Sequence, residues 1–521
     1  MSALTRPVDL EFSTSTSVLS GQLATSVTRI LALTALFSAA AVYEASHLLA
    51  LFNSDVWLHL RTGVWILDHR LVPHTGLFSQ YSHLSWNDAS WAFDAILGAL
   101  YKLRGLRAIP AALMMLKVAW AAGTFFLARA GRASFWTAFF LSAVAQYVTS
   151  GVQPDPAVLS MVFFAIELGL LVRYRRSGSI ENLYALPLLF ALWANLHIGF
   201  AIGLLLLALF LISILLEQTL RSLSNGWASE GWVGEGWMSG WAQPTSLRRV
   251  GWISGLSLLA TLANPYTFRL LPSAFGILYS SVGFEHFSEL SAMSFRRPQD
   301  YALMLLVMLA FLALGRQRSL ASFEMMTLLA GALIAFRVQR DAWLAVLPAI
   351  AVLSESLGGE RTSGSEKDLG RHRMAWATGL SFAILVVAIG FLPRSDVLMN
   401  KVNNVFPLKA CNYMVENHLP PPLFHAYSWA GFLAWYVPQY PVVVDSRIGL
   451  YGDDALSSYF DLIGGKTLLE SDPRVAHAGT LLLERESAMA KALRNLPALS
   501  SQYRLVYSDD VASVFVPQRR Q

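Results

Sequence analysis

The chain has 521 residues, of which 55% are hydrophobic and only 14% charged. Soluble proteins carry about 25% charged residues, so this composition, with a mean hydropathy of +0.47, defines a polytopic membrane protein. The formal net charge of +5 reports which loops face the cytoplasm and not an affinity for nucleic acid. The single cysteine, Cys411, excludes an intramolecular disulfide and any cysteine metal cluster.

The first apolar run, roughly 27–52, exceeds the about 20 residues that cross a bilayer. It is also longer than the 7–15-residue core of a typical cleaved signal peptide, so no cleavage is expected. Further apolar runs follow at 109–128, 134–150, 157–172, 183–197, 198–216, 251–264, 301–315, 321–337, 342–357 and 374–393. Together they predict about eleven spans in a mainly α bundle. Arg129 and Arg132, Arg173 to Arg176, Arg221 with Arg248 and Arg249, Arg316 and Arg318, and Arg361 to Arg373 occupy alternate loops. The bias of Lys and Arg toward cytoplasmic loops then predicts a cytoplasmic N-terminus and an external segment after Pro393.

Three stretches stand apart from the spans. Trp86 to Leu103 is apolar but carries Asp88, Asp94 and Lys102, and counting it as a span would break the charge alternation, so it reads as an interfacial helix. The loop 217–250 repeats Gly-Trp at Trp227, Trp232 and Trp237, and more loosely at Trp241, a spacing that fits no single helix face and suits a membrane-touching loop. From 397 to 521 the composition turns globular. The pattern there predicts helices at 407–418, 430–437, 454–464 and 487–496 and strands at 423–428, 442–446, 480–484, 503–509 and 511–518, an external α/β domain following a transmembrane domain 1–396.

Sorting polar residues by side places many of them at the outer ends of spans or in the first outer loop, 53–108. Asp55, His59 and Arg61 follow the first span in Asn53-Ser-Asp-Val-Trp-Leu-His-Leu-Arg-Thr-Gly63, near one another if this stretch is a short surface helix. Such a trio is either a polar cap at the headgroups or part of a site. Arg104 and Arg107 lie outside against the usual bias, which suggests an anionic partner. Asp155 in Gln153-Pro-Asp-Pro156, Asn195 and His197, Glu285, His286 and Glu289, then Arg337, Arg340 and Asp341 follow on the same side. Asp445 and Arg447 come at the end of the apolar Val442-Val-Val444, either as ligand groups or as an internal bridge before Gly449. Ionisable groups at membrane depth are costly, so their convergence at one face favours a reaction cleft over scattered structural pairs.

No Walker loop, dinucleotide fingerprint, HExxH or GxSxG is present. The first-loop motifs Asp55-Val-Trp-Leu-His59, Gly63-Val-Trp-Ile-Leu-Asp-His69, Val72-Pro-His74 and Leu77-Phe-Ser79 instead resemble those of bacterial multi-span proteins of the GT-C glycosyltransferase superfamily. Trp193-Ala-Asn-Leu-His197 with Gly199 and Phe200, Asn264-Pro-Tyr266, Tyr427-Ser-Trp-Ala-Gly-Phe-Leu-Ala-Trp435 and Val444-Asp-Ser-Arg-Ile-Gly-Leu-Tyr451 are similar to the same group, over nearly the whole chain. The resemblance implies a catalytic or metal-holding acid at Asp55, a second at Asp155, and location in the bacterial inner membrane. It also implies a polyprenyl-phosphate-linked sugar as donor, a glycan, lipid or protein as acceptor, and Mg or Mn as the divalent cation if one is used. Ser428-Trp-Ala-Gly431 has alanine where the oligosaccharyltransferase motif Trp-Trp-Asp-Tyr-Gly has aspartate, which turns the expectation from asparagine-linked transfer to simple sugar transfer.

In the chemistry implied, Asp55 or Asp155 accepts the acceptor hydroxyl's proton. Arg337 and Arg340, or Arg104 and Arg107, hold the departing phosphate, and Trp57, Trp65, Trp86 and Trp91 either stack on sugars or anchor the interface. His59, Arg61, His197, Glu285, Asp445 and Arg447 complete the substrate-binding candidates. The competing class is a non-catalytic transporter or scaffold for lipid-linked glycans. Transporters favour internal repeats and mid-membrane sites, and neither pattern is found here.

Overall fold

The structure is a computed structural model, and it describes residues 10–151, 155–229, 246–276, 286–287, 290–316, 321–358, 371–469 and 472–518. Glu285, Glu289, Trp232, Trp237 and Trp241 lie outside the described residues.

Each apolar run of the sequence becomes helix. They are α1 (Leu10–His47), α4 (Ala108–Ala130), α5 (Phe135–Val148), α6 (Ala157–Ser177), α7 (Leu186–Leu196), α8 (Phe200–Ser229) and α9 (Leu247–Ala260), continuing with α10 (Pro298–Arg316), α11 (Ser322–Arg337), α12 (Trp343–Ser356) and α13 (Arg371–Gly390). Two further helices, α2 (Ser54–His69) and α3 (Trp91–Arg104), belong to the segment between α1 and α4. Among the described residues five helical stretches are long and apolar enough to cross a membrane, or six if the bent pair Gly379–Gly390 and Ser395–Val402 counts as one. The chain is a multi-pass membrane protein. The predicted count of about eleven exceeds this because helices such as α5 and α7 are apolar but only 14 and 11 residues long.

Small residues set the closest helix contacts. A Cβ on Gly331 of α11 would fall 2.1 Å from the Leu344 carbonyl oxygen of α12, and one on Gly131 would fall 1.7 Å from Ser354 Oγ. This is the small-residue packing that lets helices approach where lipid supplies no hydrophobic drive. The bundle core runs from Leu33 and Phe37 through Phe125, Phe164 and Phe190 to Trp343 and Ile350.

Trp86 to Leu103 is not a free-standing interfacial helix. Trp91–Ala130 is one helical stretch of 40 residues, interrupted by a 3-10 turn at Gly105–Arg107 where Gly105 has φ +61°. At 1.5 Å per residue it is about 60 Å long, twice the hydrocarbon thickness, and its first part, α3, packs along α2.

Beyond α14 (Ser395–Val402) and α15 (Leu408–Glu416), a four-stranded sheet forms from β1 (Leu423–His425), β2 (Thr480–Glu484), β3 (Tyr503–Ser508) and β4 (Ala512–Pro517) in the order β1-β2-β4-β3. Pairing is parallel between β1 and β2 and antiparallel elsewhere. Helices α16 (Ala430–Tyr436), α17 (Asp453–Ile463) and α18 (Ala488–Asn495) complete this α/β part.

The predicted strand 442–446 does not join the sheet. Val442, Val443 and Val444 are buried, but Val442 makes only an isolated bridge to Ser79. The Val443 N–H is taken by His425 Nε2 at 2.9 Å. Apolar content placed this segment in the core, and side-chain capture of its backbone kept it out of the ladder.

Candidate functional site

The site is built from the segment that follows α1. The helix ends at Leu48, whose φ of 52° is left-handed. A 3-10 turn, Leu49–Phe52, then leads to Asn53, whose side chain accepts the Asp55 N–H at 2.9 Å as an N-cap for α2. Asp55 therefore sits in the first turn, where the helix dipole favours a carboxylate, and is half-buried. Ser54 beside it accepts the Gly431 N–H at 3.0 Å, and a Cβ on Gly431 would fall 2.1 Å from the Ser54 carbonyl oxygen. The α2 start is thus pressed against α16. The segment with alanine in place of an acid, Ser428 to Gly431, serves as this docking surface, with Trp429 Nε1 bonded to the Val405 carbonyl at 3.2 Å.

Within the expected trio of Asp55, His59 and Arg61, His59 and Arg61 have partners outside the trio. His59 Nδ1 lies 2.8 Å from Asp94 Oδ1 of α3. The glycines explain this pairing: a Cβ on Gly63 would fall 1.8 Å from the Asp94 carbonyl oxygen, and one on Gly98 would fall 2.6 Å from Gly63. Two helices that touch backbone to backbone bring His59, one turn earlier, onto Asp94. Arg61 is six residues from Asp55, about 240° around the helix. Its guanidinium instead lies 4.9 Å from the Phe78 ring centre and within electrostatic reach of Asp68.

Asp94 has a second acid partner, Asp88, and both are buried. Asp88 Oδ1 accepts the Ser90 N–H at 3.0 Å, and the Asp94 carboxyl lies within electrostatic reach of it. Burial raises Asp88 to about 8, with the negative Asp94 adding to the effect. Asp94 Oδ1 is the carboxyl oxygen that faces His59 Nδ1. The sequence listed Asp88 and Asp94 only as charges in an apolar helix. The signal that could have found them is Gly63 with Gly98, the mark of a close helix pair.

His197 is the second imidazole. Its Nδ1 accepts the Gly199 N–H at 3.1 Å and lies 2.7 Å from Ser160 Oγ, which in turn accepts Trp193 Nε1–H at 2.8 Å. The Gly199 contact makes Nδ1 an acceptor, so the neutral ring carries its proton on Nε2. His59 and Arg340 both lie within electrostatic reach of His197, so these three candidates do converge. Arg340 is 3.8 Å from the Asp341 carboxylate, and Arg337 is exposed at the end of α11. Asp155 accepts the Ala157 N–H at 2.8 Å and lies within reach of Lys117, a residue the sequence reading passed over, which also neighbours Glu44.

Other candidates are structural ties. Arg107 Nε donates to the Pro393 carbonyl at 2.9 Å, and Arg104 is exposed at the end of α3. Asn195 accepts Trp91 Nε1–H at 3.0 Å and donates to the Ala263 carbonyl at 2.8 Å. Trp57 is fully buried, with its Nε1–H on the Leu51 carbonyl at 3.0 Å and its ring 5.4 Å from Phe432, so it packs α2 against α16 and stacks on no sugar. Tyr266 of Asn264-Pro-Tyr266 donates to the Pro73 carbonyl at 2.7 Å beside the His74 ring.

Asp445 and Arg447 form a two-point pair, 2.9 and 2.6 Å, with Tyr451 OH on Asp445 Oδ2 at 2.8 Å. Burial alone would raise Asp445, but the charge and hydrogen bonds of Arg447 outweigh it and hold the carboxyl below its ordinary value. Arg447 Nη2 also donates to the Leu77 carbonyl at 2.8 Å and its guanidinium lies 5.9 Å from the Trp86 ring centre. This is the internal bridge, and it fastens the segment after α2 to the α/β part. Asp55 and Asp155 were also candidates for Mg or Mn. Among the described residues no group of three or more His, Cys, Asp and Glu side chains is disposed to hold a metal ion.

A helical bundle with an α/β part packed on the helix pair after its first span is the architecture of GT-C glycosyltransferases. The archaeal oligosaccharyltransferase AglB from Archaeoglobus fulgidus, solved with an inhibitory peptide and a dolichol-phosphate, superposes with a TM-score of 0.52 at 12% identity, over 94% of this chain and 74% of that one. The same enzyme in its apo form gives 0.50 at 12% identity over 94% and 75%. ArnT from Cupriavidus metallidurans, bound to undecaprenyl phosphate, gives 0.48 at 12% identity over 96% and 99%. No family model and no curated protein matches the sequence. The likeness to AglB bears out the expected fold, a GT-C-like helical bundle with a C-terminal α/β part.

Proposed function

We propose that this protein transfers a sugar from a polyprenyl-phosphate donor to an acceptor hydroxyl at the end of the bundle that carries the sheet. The observation that carries the reading is the GT-C fold over 94% of the chain, with Asp55, His59, His197 and Arg340 at its sheet-bearing end. In the orientation implied by the arginine-rich loops, that end is external, out of reach of cytoplasmic nucleotide sugars, and the membrane is the bacterial inner membrane. The sugar there comes on a lipid.

In the reaction the acceptor oxygen forms a bond to the anomeric carbon as the bond from that carbon to the phosphate oxygen breaks. The electron pair leaves on the phosphate and the acceptor proton passes to Asp55. Arg340 holds the departing phosphate by charge-assisted hydrogen bonds. His59, fixed in one tautomer by Asp94, contributes its ring near His197. Asp155 with Lys117 is the second acid. The Ser428–Gly431 segment, engaged in docking α2, favours a hydroxyl acceptor over an asparagine-linked one.

Purified protein given radiolabelled polyprenyl-phosphate sugars and cell-envelope acceptors should move label to the acceptor. Label that stays on the lipid with every donor and acceptor offered would favour the scaffold reading instead.

A further inference from the structure

The far end of the bundle carries a second polar site that sugar transfer does not use. Helices α4 and α6 run from the sheet-bearing end for 23 and 21 residues, about 30 Å or more, so their last turns lie one hydrocarbon thickness away. Between these turns lies a cavity of about 230 Å³ lined by Arg132, Arg173, Arg176, Ser177 and Asn182.

Each lining residue is placed by the fold. Gly131 closes α4 against Ser354, and Arg132 follows in the left-handed region at φ 68°, a cost for a side chain with a Cβ. Arg173 and Arg176 are three apart near the end of α6, on one face. Gly178, at φ 67°, then ends the helix. Asn182 Nδ2 donates to Ser177 Oγ at 3.0 Å. Arg176 donates to the Ala130 carbonyl, which ties the two turns together.

The charge is unbalanced. Arg175, in the same turn, points into the bundle, where Glu217 at 3.1 Å and Glu324 at 3.3 Å neutralise it. Arg132 and Arg173 have no comparable ion pair among the described residues, and the acid within reach of Arg132 is Glu355. The Ser177 hydroxyl donates to the Arg173 carbonyl and the Asn182 amide to Ser177 and Ser179, so the guanidinium groups of Arg132 and Arg173, with Arg176 beside them, are the groups that match the oxygens of a phosphate ester. The cavity is below the about 300 Å³ where drug-sized sites begin, so it fits a headgroup phosphate and not a nucleotide.

We propose that this cavity binds the phosphate of an anionic phospholipid headgroup in the leaflet opposite the sheet. Its depth, at the end of full-length helices, places it at headgroup level, where basic pockets between spans take such lipids. The ligand is structural and remote from the transfer site.

The test uses the full chain in nanodiscs of phosphatidylcholine mixed with phosphatidylglycerol, with lipid retention read by native mass spectrometry after extraction. Wild type should retain phosphatidylglycerol selectively. The double variant Arg132→Gln/Arg173→Gln should retain about 25-fold less, at about fivefold per arginine. Arg132→Lys/Arg173→Lys, which keeps the charge and the fold but loses the planar fork, should fall between the two. The charge-matched Arg248→Gln/Arg249→Gln should behave as wild type. Equal retention in all four proteins would overturn the proposal. So would stabilisation of wild type in lipid-free detergent by inorganic phosphate as strong as that by phosphatidylglycerol, because the site would then take free phosphate.

Discussion

His59 donates to Asp94, 35 residues further along the chain. At the residue scale the site therefore combines an acid in the first turn of α2 with an imidazole oriented by the buried Asp94 carboxyl. Asp55→Asn keeps shape and capping but removes the charge, so transfer should fall by about 10²–10⁴ with membrane insertion unchanged. Asp68→Asn, which breaks an exposed pair with Lys102 and removes a solvent-screened charge near Arg61, should leave the rate unchanged. Asp94→Asn should act mainly through the KM for donor, because it frees the His59 ring, which like Arg340 lies within electrostatic reach of His197; an unchanged KM would remove His59 from the phosphate site. Asp88 gives a pH signature. Its folded value of about 8 exceeds the unfolded one, so between about pH 4 and 8 the folded state binds the extra proton and stability falls as pH rises. Asp88→Asn should reduce the slope of that part of a melting-temperature profile, and a profile identical to wild type would contradict the raised value of Asp88.

At the element scale, glycines and a buried ion pair assemble the site. A Cβ at Gly63 or Gly431 meets backbone atoms at 1.8 or 2.1 Å, so Gly63→Ala should separate α2 from α3, and Gly431→Ala should separate α2 from α16. Overpacking of this kind costs about 1–3 kcal/mol or more, measurable as a lower melting temperature, with Gly178→Ala as a comparison whose Cβ has open space but a positive φ. Arg447→Gln leaves the buried Asp445 carboxylate unpaired and the Leu77 carbonyl without its donor. The expected loss is about 3–5 kcal/mol, with faster proteolysis between α2 and α3. Helix positions were legible because apolar runs have one physical cause, and the strands at 480–484 and 512–517 because alternation and turns marked them. Register between helices was not. Nothing in the spacing of Asp55, His59 and Arg61 shows that α3 returns to meet α2, and only the paired glycines record it. Val442-Val-Val444 misled for the complementary reason: its side chains are buried as in a strand, while its backbone is held by His425 and Ser79.

At the scale of the whole molecule, charge and chemistry separate to opposite ends. Arg132, Arg173, Arg175 and Arg176 gather at the ends of α4 and α6, while Asp55, His197 and Arg340 gather near their starts. If the arginine-rich end is cytoplasmic, a reporter active only outside the cytoplasm should be active when fused after Gln521, and activity of a cytoplasm-only reporter there would invert the orientation. The most direct test of the central claim is transfer itself. Purified wild-type protein and Asp55→Asn, matched for folding by melting temperature, are given a radiolabelled polyprenyl-phosphate sugar and envelope acceptors. Label should reach the acceptor with wild type and fall by at least about a hundredfold with Asp55→Asn. Equal transfer by the two proteins, with Asp155→Asn inactive, would move the base to Asp155, and absence of transfer by all three would contradict the enzyme.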